Sequence, residues 1–369
     1  MFSSTDHLLM ARALRLAERA RCWARPNPHV GCVIARGEEV VGEGFTQPAG
    51  GAHAEVQALA QAGERAAGAS VYVTLEPCSH HGRTPPCVDA LLAAGVTRVV
   101  AAVADPNPRV NGSGLQALGD AGIAVQRGLL AAEVELQLAG FLQRHRRGRG
   151  MLRAKLAMSL DGRTAMASGE SQWITGAAAR RDVQRLRARS CAIITGIGTV
   201  LADDCALTVR ASQLADELLL PGEDRRALRV IVDSNLRTPA AARVLAGSQP
   251  SLLVHRRDAP VPPAHTGRER LAVAADGAGL DLQALLEHLA ARECNEILLE
   301  CGPSLAGAFL RAGLIDQLLV YIAPKLLGSD ARPLFELPLA RMAEAVDLRL
   351  VDQRRVGGDL RLTFEATAD

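Results

Sequence analysis

The sequence has no apolar run near the roughly 18 residues a membrane-spanning helix needs, so a membrane-embedded chain is not expected. It has no surplus of either charge. Lys and Arg number 42 against 40 Asp and Glu, a formal net charge of +2, which argues against a dedicated nucleic-acid binder. The opening stretch "MFSSTDHLLMARALRLAERA" mixes acidic and basic residues at helical spacing and contains no cleavable apolar core. It does not read as a signal peptide, and a cytoplasmic protein is expected. No internal repeat is visible, and the eight cysteines are scattered with no pair at redox spacing. In a reducing compartment their better uses are metal ligation or simple burial, not disulfides.

What is present is a large apolar fraction, 48% of 369 residues. That length exceeds one typical core and predicts two domains. Both halves alternate strand and helix signals, so each is expected to be an α/β layer. In the first half, "HVGCVIA" and "EVVGEGF" flank Arg36-Gly37 as a hairpin. Residues 53–66 read as a helix, "SVYVTL" as a strand, and residues 86–94 as a short helix with Pro in its first turn. "RVVAAVAD" is apolar enough to be buried on both faces. A polar helix then leads into residues 145–150, "HRRGRG", expected to be a solvated linker and not a nucleic-acid contact. In the second half, "LRAKLAMSLDG" is a strand with a turn and residues 177–189 a helix with a basic face. "CAIITG", "RVIVD", "SLLVH", "EILLE", "LIDQLLVYIAP" and "LRLTFEA" are further strands, and "ASQLADELLLPGEDRRALR" is a surface connection.

The first half carries a metal pattern. His53, Cys78 and Cys87 supply one imidazole and two thiolates, the three-ligand count of a catalytic zinc with its fourth position left for water. Glu55, two residues beyond His53 at a helix start, is rotated roughly 200° from it; it is a spare group placed to shuttle protons. Cys87 opens a helix, whose positive end favours thiolate. A closed structural site would need a fourth ligand, His80 or His81, and would leave Glu55 unexplained. H-x-E followed by P-C is the signature of zinc nucleobase deaminases, here with "SHHGRTPP" between the cysteines.

Other residues carry two readings. Asn27 in "NPHVG" offers an amide that donates and accepts toward a ring, or forms an Asn-Pro turn. Arg83 is a phosphate partner or a solvated loop charge. Asp105 and Asn107 follow a buried strand, where open sheets bind ligands, or serve turns around Pro106 and Pro108. In "ECGPSLAGAFL", Gly302 ends a strand just before a helix, whose first N–H groups suit a phosphate. Cys22, Cys32, Cys191, Cys205, Cys294 and Cys301 are expected to be small buried hydrophobes.

With "NPHVGCVIARGEEVVGEGF", "HAEV", "VTLEPCSHHGRTPPC" and "ADPNPRVNGSG" followed in order by "AKLAMSLDGRTA", "SQWIT", "ARRDVQRLRA", "TGIGTVLADD" and "GPSLAGAFL", almost the whole chain resembles one family. It is the bifunctional deaminase/reductase family of riboflavin biosynthesis. The resemblance implies a cytidine-deaminase-like α/β/α domain over residues 1–148. A reductase domain with the fold of dihydrofolate reductase is implied over residues 149–369. The first would deaminate 2,5-diamino-6-(5-phosphoribosylamino)pyrimidin-4-one with Zn2+; the second would reduce the ribose to ribityl with NADPH. A small-molecule phosphoribosylaminopyrimidine substrate and a homo-oligomer follow. The resemblance tips Asp105 and Asn107 toward substrate contact. It also implies an NADPH site at Ala157, Trp173, Thr199, Asp203, Ser234, Gly302, Pro303, Ser304, Leu305, Ala306, Gly307 and Ala308. Substrate positions in the second half are implied at Ser171, Arg187, Leu207, Arg210 and Glu300, with a guanidinium fork for the phosphate. On propensity alone Trp173 could equally be a core aromatic, and Arg187 and Arg210 surface arginines. Three positions depart from the family: Thr46 stands for a usual His, Ala52 for a Pro, and Cys205 for a Pro. Two other readings compete: a nucleoside or tRNA deaminase with an unrelated second domain, and a zinc-stabilised binding module. The second-half motifs disfavour the former, and Glu55 beside a three-ligand set disfavours the latter.

Overall fold

In the computed structural model, which describes residues 1–82, 84–214, 227–277 and 279–366, the chain forms two compact units, Met1–Gly148 and Arg149–Asp369. In the first unit the elements run α1 (Ser4–Ala20), β1 (Gly31–Arg36), β2 (Glu39–Phe45), α2 (Ala54–Ala62), β3 (Ser70–Leu75), α3 (Cys87–Ala93), β4 (Arg98–Val103), α4 (Ser113–Asp120), β5 (Ala124–Arg127), α5 (Ala131–Gln137) and α6 (Ala139–Arg147). The sheet order is β2-β1-β3-β4-β5. β1 is antiparallel to both β2 and β3, while β3, β4 and β5 are parallel.

Glycine decides how closely the helices of this unit approach. A Cβ on Gly31 would lie 1.9 Å from the Ala13 carbonyl of α1, and one on Gly44 would lie 2.1 Å from the Ala54 carbonyl of α2. Gly44 is paired with Cys32, the neighbour of Gly31, and successive residues of a strand face opposite sides. The two helices therefore cover opposite faces of the sheet. The core between them is built from small side chains such as Ala13, Ala54 and Ala58 with Val33, Val71 and Val99, all fully buried.

In the second unit, β6 (Met151–Ser159), β7 (Arg163–Ala165), α7 (Ala177–Arg189), β8 (Ala192–Gly196), α8 (Ile197–Asp203), β9 (Leu228–Val232), β10 (Ser251–Arg256) and β11 (Arg270–Val273) come first. They are followed by β12 (Ala275–Asp276), β13 (Gly279–Leu280), α9 (Leu282–Ala291), β14 (Glu296–Leu299), α10 (Pro303–Arg311), β15 (Gln317–Ala323), β16 (Arg332–Pro333), β17 (Leu348–Val356) and β18 (Asp359–Ala366). The main sheet runs β11-β10-β9-β8-β14-β6-β15-β18-β17. It is parallel from β11 through β15 and ends in the antiparallel β17–β18 hairpin. Strands buried on both faces explain why "AIITG", "LRVIV" and "EILL" read as unbroken apolar runs.

The expected α/β character holds in both halves, with corrections in detail. The α-helix after His53 ends at Ala62; Gly63 takes φ +54 and a 3-10 turn covers Gly63–Ala66. Of the basic segment 145–150, the first three residues belong to α6, which runs to Arg147, and the boundary between the two units falls directly after Gly148. The burial of Phe141 and Leu142 on the other side of α6 keeps its last basic turn helical. Most of the connection after Arg210 lies outside the described residues. No helix among the described residues is long and apolar enough to cross a membrane.

Candidate active sites

Three local features bring the first-unit ligands together. His53 is the N-cap of α2, with extended backbone (φ −72, ψ 165), so its ring stands before the helix and not along its side. Cys78 lies three residues beyond the end of β3, and Cys87 is the first residue of α3. The Cys78 and Cys87 Sγ atoms lie 3.5 and 3.3 Å from His53 Nδ1, and all three donor atoms fall within 4.8 Å of one another. Tetrahedral ligation with Zn–S near 2.3 Å and Zn–N near 2.0–2.1 Å separates S and N ligands by about 3.6 Å. The donor set therefore fits Zn2+ in both chemistry and spacing.

The surroundings favour ligation. His53 Nε2 lies 3.4 Å from Thr84 Oγ1; with its proton directed there, Nδ1 keeps a lone pair for the metal. The backbone N–H of Cys87 donates to Cys78 Sγ at 3.3 Å. The hydrogen bond from the Cys87 thiol draws Cys78 down to about 4 and raises Cys87 in turn. A divalent cation between them would hold both as thiolates. Glu55, 4% exposed, lies in the first turn of α2 within reach of Cys87. Burial pushes its carboxyl up to about 7, with His53 opposing the rise and Cys78 adding to it.

Around this cluster, Asp105 is buried and its Oδ1 accepts the Asn107 N–H at 2.8 Å, while Asn107 Oδ1 accepts the Arg109 N–H at 3.1 Å. The turn chemistry of these two residues is thus real, and it fixes the loop that presents them. Burial lifts the Asp105 carboxyl to about 6, against the Asn107 hydrogen bond. Asn27 is partly buried after a turn in which its N–H donates to the Ala24 carbonyl. Arg83 lies outside the described residues. Thr46 is buried, and its hydroxyl oxygen accepts the Val30 N–H at 2.9 Å.

In the second unit a cavity of 1710 Å³ opens among Ala157, Trp173, Thr199, Asp203, Ser234 and the 302–305 turn, and Ser171, Arg187, Leu207, Arg210 and Glu300 line it as well. It lies at the C-terminal ends of parallel strands, where such sheets place ligands. Gly302 caps α10 in extended backbone with Pro303 at the first helical position, and both line the cavity with Ser304 and Leu305. Ala308 also lines it, but Ala306 and Gly307 do not. The periodicity of α10 sends Ala306 into the core, and a Cβ on Gly307 would lie 2.4 Å from the Glu336 carbonyl. Trp173 is 59% exposed, with the Arg180 guanidinium 4.5 Å from its ring centroid, so it is a cavity aromatic and not a core one.

Arg187 is largely buried, not a surface residue. Its Nε and Nη2 donate to the two Glu300 oxygens at 2.6 and 2.9 Å, and its Nη1 donates to the Thr208 carbonyl at 3.1 Å. Burial alone would raise the Glu300 carboxyl; Arg187 and Lys155 bring it below its ordinary value. Lys155 is a cavity residue that sequence reasoning missed. Burial lowers its pKa, and Glu300 works against that fall. A lone lysine in the apolar strand "LRAKLAMS" was the available signal. Arg237 and Arg243 were also missed; both line the cavity with Ser234, and neither guanidinium has a partner among the described residues. Of the remaining cysteines, Cys32 and Cys294 are buried as expected, whereas Cys205 and Cys301 line the cavity.

One chain thus carries a site fit for metal-assisted hydrolysis in its first unit and one fit for dinucleotide-dependent reduction in its second. Known proteins show the same division. Residues 3–103 match the cytidine and deoxycytidylate deaminase zinc-binding region, and residues 151–362 match the RibD C-terminal domain. The chain is 52% identical over 361 residues to the riboflavin biosynthesis protein RibD of Escherichia coli K12, covering 97% of this chain and 98% of that one. Its structure superposes on Acinetobacter baumannii RibD with a TM-score of 0.90 at 43% identity over 99% of both chains. A Thermotoga maritima deaminase/reductase follows at 0.85 and 29%, over 98% of this chain and 99% of that one. The chain belongs to the RibD family, the bifunctional deaminase and reductase of riboflavin biosynthesis. Its cofactors are Zn2+ for deamination and NADPH for reduction, and its substrates are small molecules.

Proposed function

We propose that the first unit hydrolytically deaminates 2,5-diamino-6-(5-phosphoribosylamino)pyrimidin-4-one and that the second reduces the ribose of the product to ribityl. The observation that carries this is the buried Glu55 carboxylate set beside a three-ligand imidazole–thiolate cluster. His53, Cys78 and Cys87 hold the metal. Zinc, when bound there, makes water a nucleophile at neutral pH. Glu55 takes one proton from the attacking water at a carboxylate oxygen and gives it to the ring nitrogen; as the C–N bond breaks and the carbonyl forms, it takes the proton of the added hydroxyl and gives it to the departing amine, which leaves as ammonia. Asn27, Asp105 and Asn107 hold the pyrimidine ring. The protein acts in the cytoplasm as a homo-oligomer, and its balanced charge fits small anionic substrates better than nucleic acid.

In the second unit the α10 N-terminus cradles the cofactor phosphates. Arg237 and Arg243, which line the cavity with Ser234 and have no side-chain partner among the described residues, supply the charge that would select a 2′-phosphate. NADPH supplies hydride. Hydride addition to a sugar carbon leaves an oxygen that must take a proton, and Lys155 is placed to give it. Because the Arg187 fork is closed on Glu300, Arg210, which lines the same cavity, serves the substrate phosphate.

Two measurements on the full chain test this assignment. In Cys87→Ser, zinc and ammonia release should both be lost while NADPH is still oxidised with already deaminated substrate. Full zinc retention would instead make His80 or His81 a ligand. In Arg237→Ala/Arg243→Ala, the KM for NADPH should rise about 10- to 100-fold, the worth of one or two charge-assisted hydrogen bonds. The KM for NADH should stay where it is. Equal losses for both cofactors would place the 2′-phosphate elsewhere.

A further inference from the structure

Glu76 follows β3 directly and stands two residues before Cys78; it is 3% exposed. Four backbone N–H groups converge on its carboxylate. Asp105 and Gly112 donate to Oε2 at 3.0 and 3.1 Å, and Gly114 and Leu115 donate to Oε1 at 2.9 and 3.2 Å. An ionised carboxylate has about four acceptor positions, so this one is full and has none left for proton transfer. The donors come from both ends of a single loop: its start at Asp105, and its end at Gly112, Gly114 and Leu115, where α4 begins. Charge-assisted bonds at a helix N-terminus are the stronger kind.

A second contact reinforces the clamp. A Cβ on Gly114 would lie 2.1 Å from the Pro77 carbonyl, and Ser113 Oγ is 2.6 Å from Ser79 Oγ. The backbone on either side of Cys78 is thus locked against the same loop, by Glu76 and Pro77 before it and Ser79 after it. We infer that Glu76 is a positioning residue for deamination, fixing the loop that carries Asp105 and Asn107 at a set distance from the metal ligand Cys78. This rests on the reading that the loop contacts the pyrimidine. Glu76 acts only through the loop.

The test uses the full-length, zinc-loaded protein and the steady-state kinetics of ammonia release. Glu76→Gln places an amide NH2 against two N–H donors and releases one end of the loop. The KM for the diaminopyrimidine should rise about 10- to 100-fold, the cost of leaving one or two buried groups unsatisfied. The kcat, the zinc content and the reduction of deaminated substrate should stay near those of the parent. Glu76→Asp keeps the charge and should recover part of the loss. Gly114→Ala pushes the loop off Pro77 with the carboxylate intact, and should raise KM in the same way. It also decides the matter if Glu76→Gln fails to fold. Asn107→Ala probes the loop directly. A raised KM in Asn107→Ala with parental KM in Glu76→Gln and Gly114→Ala overturns the positioning role and leaves the substrate loop standing. Unchanged KM in all three overturns the loop reading as well. Loss of zinc from Glu76→Gln would make Glu76 part of the metal scaffold and also overturn the inference.

Discussion

Glu55→Gln is expected to lower the kcat of deamination by about 10²–10⁴, the usual worth of a placed general acid–base, while binding zinc as fully as the parent. Glutamine preserves the volume and much of the hydrogen bonding of a side chain that is 4% exposed in the first turn of α2. The three metal donors, which lie within 4.8 Å of one another, are untouched. What is lost is the oxygen that takes a proton from water and passes it on. Reduction of deaminated substrate by the second unit should proceed at the parental rate. Ammonia release near the parental rate would remove Glu55 from the reaction, and a loss of zinc would show that it holds the site together instead.

Arg187→Met should destabilise the second unit by about 3–5 kcal/mol, the cost of stranding one partner of a buried ion pair, and abolish most of its reductase activity. Arg187 and Glu300 have side-chain exposures of 16% and 11% and bond at 2.6 and 2.9 Å. Among the described residues, Lys155 then remains to balance the carboxylate. For a unit of this size the unfolding midpoint should fall by roughly 6–20 °C. The pH dependence has a definite sign. Because the folded state holds Glu300 below its ordinary value, the stabilisation is complete above the ordinary carboxyl range. It fades as pH falls through the lowered value. The Arg187→Met deficit should therefore be largest near neutrality and shrink in acid. Adding Glu300→Leu should restore much of the stability and none of the activity. A midpoint unchanged in the single variant would show that the pair contributes little and that Arg187 is free to serve the substrate.

The sequence made the hydrophobic logic plain. Strands such as "SVYVTL" and "EILLE" are bounded by turn residues and buried on both faces, and the structure places them within a residue or two of their expected limits. The metal donors were legible because their chemistry and spacing are distinctive. Elements on the surface were not. β5 is four half-exposed residues at a sheet edge, and β17, "LRLVDQRRV", is exposed along nearly its whole length, so neither shows an alternating apolar face. The cavity residues Lys155, Arg237 and Arg243 were hidden for another reason: each is a single charge, and only the fold brings the middle of β6 and the connection after β9 to one cavity. Arg187 looked like one more helix arginine beside Arg181 and Arg185. Its partner, Glu300, is 113 residues away in sequence.

The most direct test of the two-site reading follows ammonia and NADPH together in one reaction of the full-length protein with the diaminopyrimidine substrate. One NADPH should be oxidised per ammonia released, ammonia release should continue when NADPH is omitted, and Cys87→Ser should oxidise no NADPH until deaminated substrate is added. NADPH oxidation by Cys87→Ser on the undeaminated compound would contradict the two-site reading.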